Sequence, residues 1–479
     1  MACALLLFPL AMAGITFVAP SNRRRPWLLP LGALGHLALV GWAVLGCGHP
    51  VSGLGGWLAL DALGKVVLGL LSLLFFLCSL YAPGYLTLRA ERPNRVFCAT
   101  LFVALAMMTL VTLAHHLGLT WVAMEATTLA TAPLLYFNHN ARSLEATWKY
   151  LLIGSVGIAL ALFGSFFLAY SSLKAGLEPT LLFGELIASA PRLSPPWLHA
   201  AFVLLFVGYG TKMGLAPLHT WKPDAYGEAP GLVGTLLAGG VTSCAFIALL
   251  RVYQICHASA EADFARGLMV LMGLVSMAVA AVFLVRQRDF KRMLAYSSVE
   301  HMGILVLGIG LGGPAVYGAL LHLINNGLAK GVLFLSAGNI HRACGSKGTE
   351  DATGAIRRVP LSGALFLAGF LAITGSPPFG PFVSEFTIAS AALGSGQFVA
   401  GALFLVLLGV VFVGMGKTVL SVVQGRPAET ADAGGFHDGP GTGVPVLLFM
   451  ALVVLLGVYV PGPLEELLRE AAGAVEVRR

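Results

Sequence analysis

Long apolar runs repeat from one end of the chain to the other, and each is long enough to cross a lipid bilayer. Of the 479 residues, 57% are hydrophobic and only 11% are charged, whereas about a quarter of the residues in soluble domains are charged. A backbone inside a bilayer must satisfy its own hydrogen bonds, so such runs form helices. The sequence therefore predicts an all-α membrane protein that crosses the bilayer many times.

We predict roughly fourteen spans of about 20 residues each. They lie at about 2–20, 27–47, 58–82, 96–113, 117–137, 147–170, 199–219, 230–254, 265–285, 292–312, 314–339, 361–390, 397–421 and 442–461. Proline interrupts two of them, the seventh at Pro217 and the twelfth at Pro377, Pro378 and Pro381. The first run has no basic residue before it, which favours a retained helix over a cleaved signal peptide.

The two interrupted spans are five helices apart. Helices 4–8 and 9–13 would then be two five-helix units, and because five is odd, the second unit is inverted in the membrane, as in many transporters. This gives N-terminal helices 1–3 in residues 1–95, a first repeat in 96–254 and a second, inverted repeat in 265–421. The last helix and the C-terminal tail occupy 442–479. The connection at about 422–441 is predicted to be a flexible surface loop.

The basic residues sit mostly in the short loops, which explains the net charge of +7 without a nucleic-acid partner. Nineteen lysines and arginines lie in odd-numbered loops, whereas the even-numbered loops hold only Lys174, Arg192, Arg251 and Arg266. By the positive-inside rule, the odd loops are cytoplasmic and both termini face outward.

The seven cysteines contain no CxxC pair, so we predict no iron–sulfur cluster, metal site or other cofactor.

Charged side chains inside the spans are the candidate functional residues, because each costs about 2.5–3.5 kcal/mol to insert. Glu125 lies in span 5 and Lys212 in span 7, just before the Pro217 break. Pairing the two would lower the free-energy cost of burying each. The alternative interpretation is a static ion pair that only joins two helices.

Two further spans carry polar stripes. His322, Asn326 and Lys330 are spaced four apart in span 11, so they lie along one helix face and could line a hydrated proton path. Glu385 follows the Gly/Pro cluster of span 12 and suits the end of a half-channel. The alternatives are interhelical hydrogen bonds for packing, and a structural acid at 385.

Several polar residues near span ends are less specific. Glu300 and His301 in span 10 either join the path or form a structural pair. We expect His219, Lys222 and Asp224 to form a cytoplasmic mouth after the break in span 7. Asp61 and Lys65 are interpreted as an i, i+4 pair at the membrane surface, and His115 and His116 as solvated loop residues.

The segments GTKMGLAPLHTWKPDAYGEAP and DFKRMLAYSSVEHMG resemble the antiporter-like membrane subunits of respiratory complex I, membrane-bound hydrogenases and multisubunit sodium/proton antiporters. The resemblance covers about residues 50–460. Within this family, EATTLATAPLLYF, EATWKYLLIGSVGIALALFG and AKGVLFLSAGNI look most like the F-type subunit of hydrogenase-4 and formate hydrogenlyase complexes. The family fold has fourteen helices with inverted five-helix repeats and broken helices 7 and 12.

The resemblance also implies roles for individual residues. Glu125 and Lys212 match the family's glutamate–lysine pair, Lys330 its central lysine in helix 11, and Glu385 its terminal acid in helix 12. Many members carry a lysine in helix 8, where this chain has Ser243. The link between the half-channels would then run through water and Ser243, or would be impaired.

The sequence thus predicts a proton-translocating, multi-pass subunit of the bacterial inner (plasma) membrane, working in a redox-driven complex of the hydrogenase-4 or NADH:quinone oxidoreductase type. It would not be catalytic alone, and would bind other membrane subunits and a peripheral redox arm. The alternatives are a sodium/proton antiporter subunit and a structural scaffold that no longer pumps.

Overall fold

The computed structural model describes residues 1–46, 51–425 and 435–476. Nearly all of the regular structure within these ranges is helical. The α-helices are α1 (Ala2–Val18), α2 (Leu28–Gly41), α3 (Ala62–Thr87), α4 (Arg95–Leu113), α5 (Leu117–Leu135), α6 (Ala141–Lys174), α7 (Phe183–Ser189), α8 (Pro195–Met213), α9 (Trp221–Glu228), α10 (Gly231–Thr235), α11 (Thr242–Ala258), α12 (Ala262–Leu284), α13 (Phe290–Leu311), α14 (Pro314–Cys344), α15 (Ala355–Arg358), α16 (Pro360–Ile373), α17 (Gly380–Gly394), α18 (Phe398–Val423), α19 (Pro440–Val458) and α20 (Gly462–Glu476).

Ten helical stretches in the described residues are long and apolar enough to cross a membrane. One of them, Gly231–Ala258, joins α10 to α11 through a π-helical segment, Leu236–Val241. The predicted spans 1, 5, 7 and 12 are also helical, in α1, in α5, in α8 and in α16 with α17, but they are shorter or less apolar. The structure therefore agrees with a multi-pass helical membrane protein.

Both interruptions predicted from proline coincide with gaps between helices. The α8 helix ends at Met213 and α9 begins at Trp221, while α16 ends at Ile373 and α17 begins at Gly380. Gly214 follows α8 with a φ of 81°, a left-handed conformation that glycine adopts at little cost. Each gap leaves the adjacent helix ends with free backbone groups that must find partners inside the protein.

The centre of the molecule is formed by the stretch Gly231–Ala258 and by α14. Every residue in the most apolar part of each is buried, whereas only 28% of the corresponding part of α18 is. Helices α6 and α8 pack closely beside this centre, because Gly157 and Gly208 let their backbones approach. The candidate residues of spans 7, 10 and 11 therefore lie away from lipid.

Several described elements were not predicted. They include α7, α9, α15, the two-stranded hairpin Ser52–Gly53 with Leu58–Ala59, and α20, which lies where a tail was expected. The α20 helix is bound to α11, where Gln254 donates to the carbonyl of Ala474 at 2.8 Å. Of the predicted loop at 422–441, residues 426–434 lie outside the described part of the chain, as do residues 477–479 of the predicted C-terminal segment.

Candidate functional site

Lys212 and Glu125 are joined through a hydroxyl group. Lys212 is buried in the last turn of α8, and its Nζ donates a hydrogen bond to Oγ1 of Thr128 on α5. Thr128 Oγ1 lies 3.3 Å from Oε2 of Glu125, and Ser155 Oγ on α6 donates to Oε1 at 2.9 Å. The direct ion pair expected from the sequence is therefore not formed. Instead, the neutral hydroxyl of Thr128 separates the two charges.

The surroundings of Lys212 accommodate a positive charge without neutralising it. Its Nζ lies 4.9 Å from the centre of the Tyr150 ring, within reach of a cation–π interaction. A Cβ atom at Gly154 would lie 3.3 Å from the same Nζ, so the glycine leaves room for it. The end of α8 also presents the negative end of the helix dipole to this lysine.

The gap after α8 is filled by side chains of α9. Trp221 Nε1 donates to the carbonyl of Thr211 at 2.9 Å, which satisfies one backbone group freed by the break. Lys222 folds back over Gly214, and its Nζ lies 3.0 Å from Oγ of Ser298 on α13. Lys222 is fully buried, so placing it in a cytoplasmic mouth was wrong.

The other two residues expected at that mouth lie nearer the surface. Asp224 is partly exposed and accepts from Lys149 Nζ at 2.7 Å and from Arg292 Nη2 at 2.5 Å. The His219 ring packs beside the stacked rings of Phe283 and Tyr296, with centroid distances of 6.3 and 6.2 Å. His219 Nδ1 is buried and has no hydrogen-bond partner among the described residues.

Lys330 lies in the middle of α14 and is fully buried. Its Nζ donates to Oγ of Ser297 at 2.8 Å and to the carbonyl of Leu294 at 3.3 Å, both on α13. Like Lys212, it is held by a hydroxyl group and has no ion pair in the described residues. Ser297 and Ser298 are consecutive, so the serine pair contacts both Lys330 and Lys222.

A chain of polar groups continues from α13 through α14 to α17. His301 Nδ1 and His322 Nε2 share a hydrogen bond of 2.9 Å, and His322 Nδ1 lies 3.0 Å from Ser384 Oγ. Glu300 is buried, and its Oε2 lies 3.9 Å from the other nitrogen of His301. The structure thus brings together Glu300, His301 and His322, which the sequence left divided between functional and structural roles.

Glu385 stands next to this chain, directly after Ser384 on α17. It is buried, and its Oε1 has no hydrogen-bond partner in the described residues. A cavity of about 370 Å³ reaches it from the side of α18 and the gap before α17. Any side chain at Gly375, in that gap, would contact Glu385 Oε2. The carboxyl group therefore lies between the buried polar chain and an open cavity.

Two asparagines of α14 face the same region. Asn326, predicted from the sequence, is buried, and its Oδ1 has no partner in the described residues. Asn325, which was not predicted, donates through Nδ2 to the carbonyl of Gly380 at 2.8 Å and lies 3.4 Å from Ser384 Oγ. It supplies a partner for the backbone at the start of α17.

Ser243 lies two residues after the π-helical segment and is buried. Its Oγ donates to the carbonyl of Gly239 in the same helix at 2.5 Å. The hydroxyl thus satisfies a local carbonyl, and no described hydrogen bond joins it to Lys212 or Lys330. The proposed relay through Ser243 has no direct contact to support it.

The polar groups of this region can exchange protons because imidazole and hydroxyl groups both donate and accept hydrogen bonds. His301, His322 and Glu385 each also offer one ligand atom, and these three atoms lie within 4.8 Å of one another. Such a set could hold a small cation. Two imidazole nitrogens of that set are already hydrogen-bonded to each other, which suits proton exchange.

Two interpretations at the outer ends of the spans were wrong. Asp61 forms a bidentate ion pair with Arg251 of α11 and not with Lys65. Its neighbour His115 is half-buried, 3.9 Å from the same carboxylate, and burial together with Arg251 lowers the pKa of His115 to about 4. His116 caps α5 and stacks on Trp57 at 4.1 Å. Neither histidine is a freely solvated loop residue.

Comparisons with known proteins agree on one family. Residues 114–414 match the family described as "NADH:quinone oxidoreductase/Mrp antiporter, TM". The chain is 33% identical over 470 residues to a hydrogenase-4 component F homolog from Methylacidiphilum infernorum, with 96% of each chain covered. It is 31% identical over 352 residues to an NADH-quinone oxidoreductase subunit N from Desulforudis audaxviator, covering 73% of this chain and 69% of the relative.

Solved structures share the fold over nearly the whole chain. A chain of the archaeal membrane-bound sulfane sulfur reductase matches with a TM-score of 0.88 and 23% identity, covering 99% of this chain and 97% of that one. A chain of respiratory complex I from Thermus thermophilus matches with a TM-score of 0.77 and 27% identity, covering 96% and 97%.

Proposed function

Because the chain belongs to the NADH:quinone oxidoreductase/Mrp antiporter family of transmembrane proteins, we propose that it translocates protons as a membrane subunit of a redox-driven complex. Its relatives include a hydrogenase-4 component and subunits of NADH-quinone oxidoreductases. The observation that carries the proposal is that the buried lysines Lys212 and Lys330 are each held by a hydroxyl group instead of by an ion pair, and that a hydrogen bond joins the imidazoles of His301 and His322.

The proton path begins at Glu125 and Lys212. Glu125 is only half-buried and contacts the exposed Ser155, so it is the member of the pair that can respond to a neighbouring subunit. A change of charge there alters how strongly Lys212 holds its proton, because the two groups are separated by one hydroxyl. Electron transfer in a peripheral redox arm would supply that change.

The path continues to Lys330 and leaves through Glu385. Lys330 takes up the proton released in the first half, and the imidazoles of His301 and His322 carry it toward Ser384 and Glu385. The cavity beside Glu385 provides the exit. Each group returns to its starting protonation state after one proton has passed.

The proposed architecture has fourteen membrane helices with two inverted five-helix repeats, in residues 96–254 and 265–421, after an N-terminal unit of 1–95. Elements five spans apart have corresponding features. The longest helices, α6 with 34 residues and α14 with 31, form spans 6 and 11. The helix breaks lie in spans 7 and 12. These correspondences support the repeat.

The subunit is proposed to lie in the inner membrane with both termini outside and with other membrane subunits at its sides. A half-buried acid in the middle of a span is costly to expose to lipid. Glu125 and Ser155 lie among exposed apolar residues of α5 and α6, such as Val122 and Leu152. A neighbouring subunit that covers this surface would remove the cost.

The decisive experiment measures proton translocation by the assembled complex in proteoliposomes. We expect Lys212→Ala and Glu385→Gln each to lower it at least about tenfold, because each removes an ionisable group from a single path. Lys174→Ala and Glu178→Gln, which change exposed residues at the end of α6 and in the loop after it, are the matched controls.

Normal proton translocation by both path variants would instead identify the chain as a non-pumping scaffold. A transport rate that depends on sodium concentration, with protons moving in the opposite direction, would identify a sodium/proton antiporter subunit.

A further inference from the structure

We propose that Lys222 is the relay residue that connects the two halves of the proton path, passing protons from the Lys212 side to Lys330 across the serine pair Ser297–Ser298. The inference rests on the proposed proton translocation. It assigns to Lys222 the connecting role that the sequence led us to expect at Ser243.

The contacts of Lys222 differ from those of a structural lysine. Its side chain is fully buried, and among the described residues its Nζ contacts only neutral groups: Ser298 Oγ at 3.0 Å, the Ser298 carbonyl at 3.5 Å and the Tyr226 ring at 5.7 Å. No ion pair is formed by Lys222 in the described chain. Hydroxyl and carbonyl oxygens accept hydrogen bonds from an ammonium group and from a neutral amine alike, so the side chain keeps its partners whether or not it carries the extra proton.

Lys222 and Lys330 approach the same part of α13. Lys330 Nζ contacts Ser297 Oγ and the Leu294 carbonyl, whereas Lys222 Nζ contacts Ser298. Leu294 and Ser298 are four residues apart, so they lie one turn from each other on the same helix face. The two amines therefore approach the same turn of α13, with the hydroxyl groups of Ser297 and Ser298 beside them.

The stem of Lys222 also lies at the end of the helix that carries Lys212. Gly214 is two residues after Lys212, and a Cβ atom there would lie 2.5 Å from Cδ and 2.8 Å from Nζ of Lys222. Real Cβ atoms do not approach so closely, so only glycine leaves space for this lysine. The break in span 7 thus places the stem of Lys222 against the end of α8, two residues after Lys212, and its amine against α13.

The transfer is balanced in protons. Lys212 gives up an N–H proton, and the neutral Lys222 amine takes it up to become an ammonium group. Lys222 then gives a proton to the hydroxyl-lined space beside Ser298, and the Lys330 amine takes one up. Each hydroxyl accepts one proton and releases another, so Lys222 ends as the neutral amine and one proton has reached Lys330.

The test compares three variants in the assembled complex in proteoliposomes. Lys222→Met removes the amine, and Lys222→Arg keeps a permanent positive charge that does not release its proton. We expect both to lower proton translocation at least about tenfold. A structural brace would be preserved by arginine, so full translocation by Lys222→Arg would overturn the proposal.

Ser298→Ala provides a milder third variant should the lysine variants fail to assemble, and it should lower translocation severalfold. Its matched control is Ser336→Ala, since Ser336 is buried and, in the part of the chain that the structure describes, forms hydrogen bonds only within its own helix. Unchanged translocation by Ser298→Ala would also count against the relay. Glu385→Gln distinguishes failure of the relay from failure of the proposed function. If Glu385→Gln abolishes proton translocation and the Lys222 variants do not, only the relay role of Lys222 is wrong. If none of these variants changes proton translocation, the proposed function itself is wrong.

Discussion

Lys212, Lys222 and Lys330 each donate a hydrogen bond to a hydroxyl group, from Thr128, Ser298 and Ser297 respectively. A hydroxyl stabilises an ammonium group without fixing its charge. A carboxylate at the same distance would hold the proton, because removing it would leave an unpaired buried anion. The hydroxyl partners therefore keep the lysines free to exchange protons.

The contrasting case is Asp61, whose carboxylate accepts from both terminal nitrogens of Arg251. Burial alone raises the pKa of Asp61, but the attraction and hydrogen bonds of Arg251 outweigh it and hold the pKa at about 2. Since this lies below the ordinary value of 3.8, the pair stabilises the fold above about pH 4. That contribution is lost as the pH falls through about 2.

We predict that Asp61→Asn lowers stability at pH 7 by about 1–3 kcal/mol, because it leaves the buried Arg251 without its charged partner. Thermal unfolding of the purified protein in detergent measures this. The difference between wild type and variant should shrink between pH 4 and pH 2. Asp263→Asn, which changes an exposed acid at the start of α12, should have little effect at either pH. A difference that stays constant with pH would contradict the assignment.

The charged residues of the proposed proton path could be predicted from the sequence, but most of their hydrogen-bond partners could not. Charges are rare in apolar runs, so Glu125 and Lys330 are conspicuous. Hydroxyls are common there, and many bond only to their own helix, as Thr147 does to the Ser143 carbonyl. Nothing in the sequence separates Thr128 from such residues, apart from its position one turn after Glu125.

At the scale of helices, the contact between α6 and α8 positions the first half of the proposed path. A Cβ atom at Gly208 would lie 2.6 Å from the backbone nitrogen of Ala161 and 2.7 Å from the carbonyl oxygen of Gly157. The two backbones are thus in direct contact, one turn before Lys212. The distance between α6 and α8 therefore decides where Lys212 meets α5 and Tyr150.

We predict that Gly208→Ala forces the two helices apart and lowers stability by about 1–3 kcal/mol, as overpacking does in other well-packed cores. Proton translocation should fall severalfold because Lys212 moves relative to Thr128. Thermal unfolding and proteoliposome assays on the same preparation measure both. Gly267→Ala in α12 is the control, since no atom lies within 4 Å of its added Cβ. Wild-type translocation by Gly208→Ala would show that this contact does not set the geometry of the path.

The long helices and their breaks were predictable, whereas short elements were not. Twenty apolar residues give a strong signal for α3 or α18, and proline marks the gap before α17. The α20 helix has only a narrow apolar face, with Leu468, Ala471 and Val475 buried against the bundle. Its contacts with α11 come from residues more than two hundred positions earlier, so local sequence cannot predict them.

For the whole molecule, the two ends of the proposed path differ in the space around the carboxyl group. Glu125 is half-buried among exposed apolar side chains of α5 and α6, whereas Glu385 lies beside a cavity of about 370 Å³. A subunit built in this way needs a covered surface at its first end and access to water at its second. The direction of transport then depends on how the chain is oriented in the membrane.

That orientation gives the last prediction, which uses Cys3. This residue is exposed at the start of α1 and should face outward if the positive-inside rule holds for this chain. In a variant that retains only Cys3, a membrane-impermeant maleimide added to intact cells should label the protein.

The comparison is a variant with Arg288→Cys as its only cysteine. Arg288 lies between α12 and α13 with 83% of its side chain exposed, and should react only after the cells are permeabilised. Labelling of Arg288→Cys but not of Cys3 in intact cells would reverse the orientation, and with it the side from which Glu125 and Lys212 receive protons.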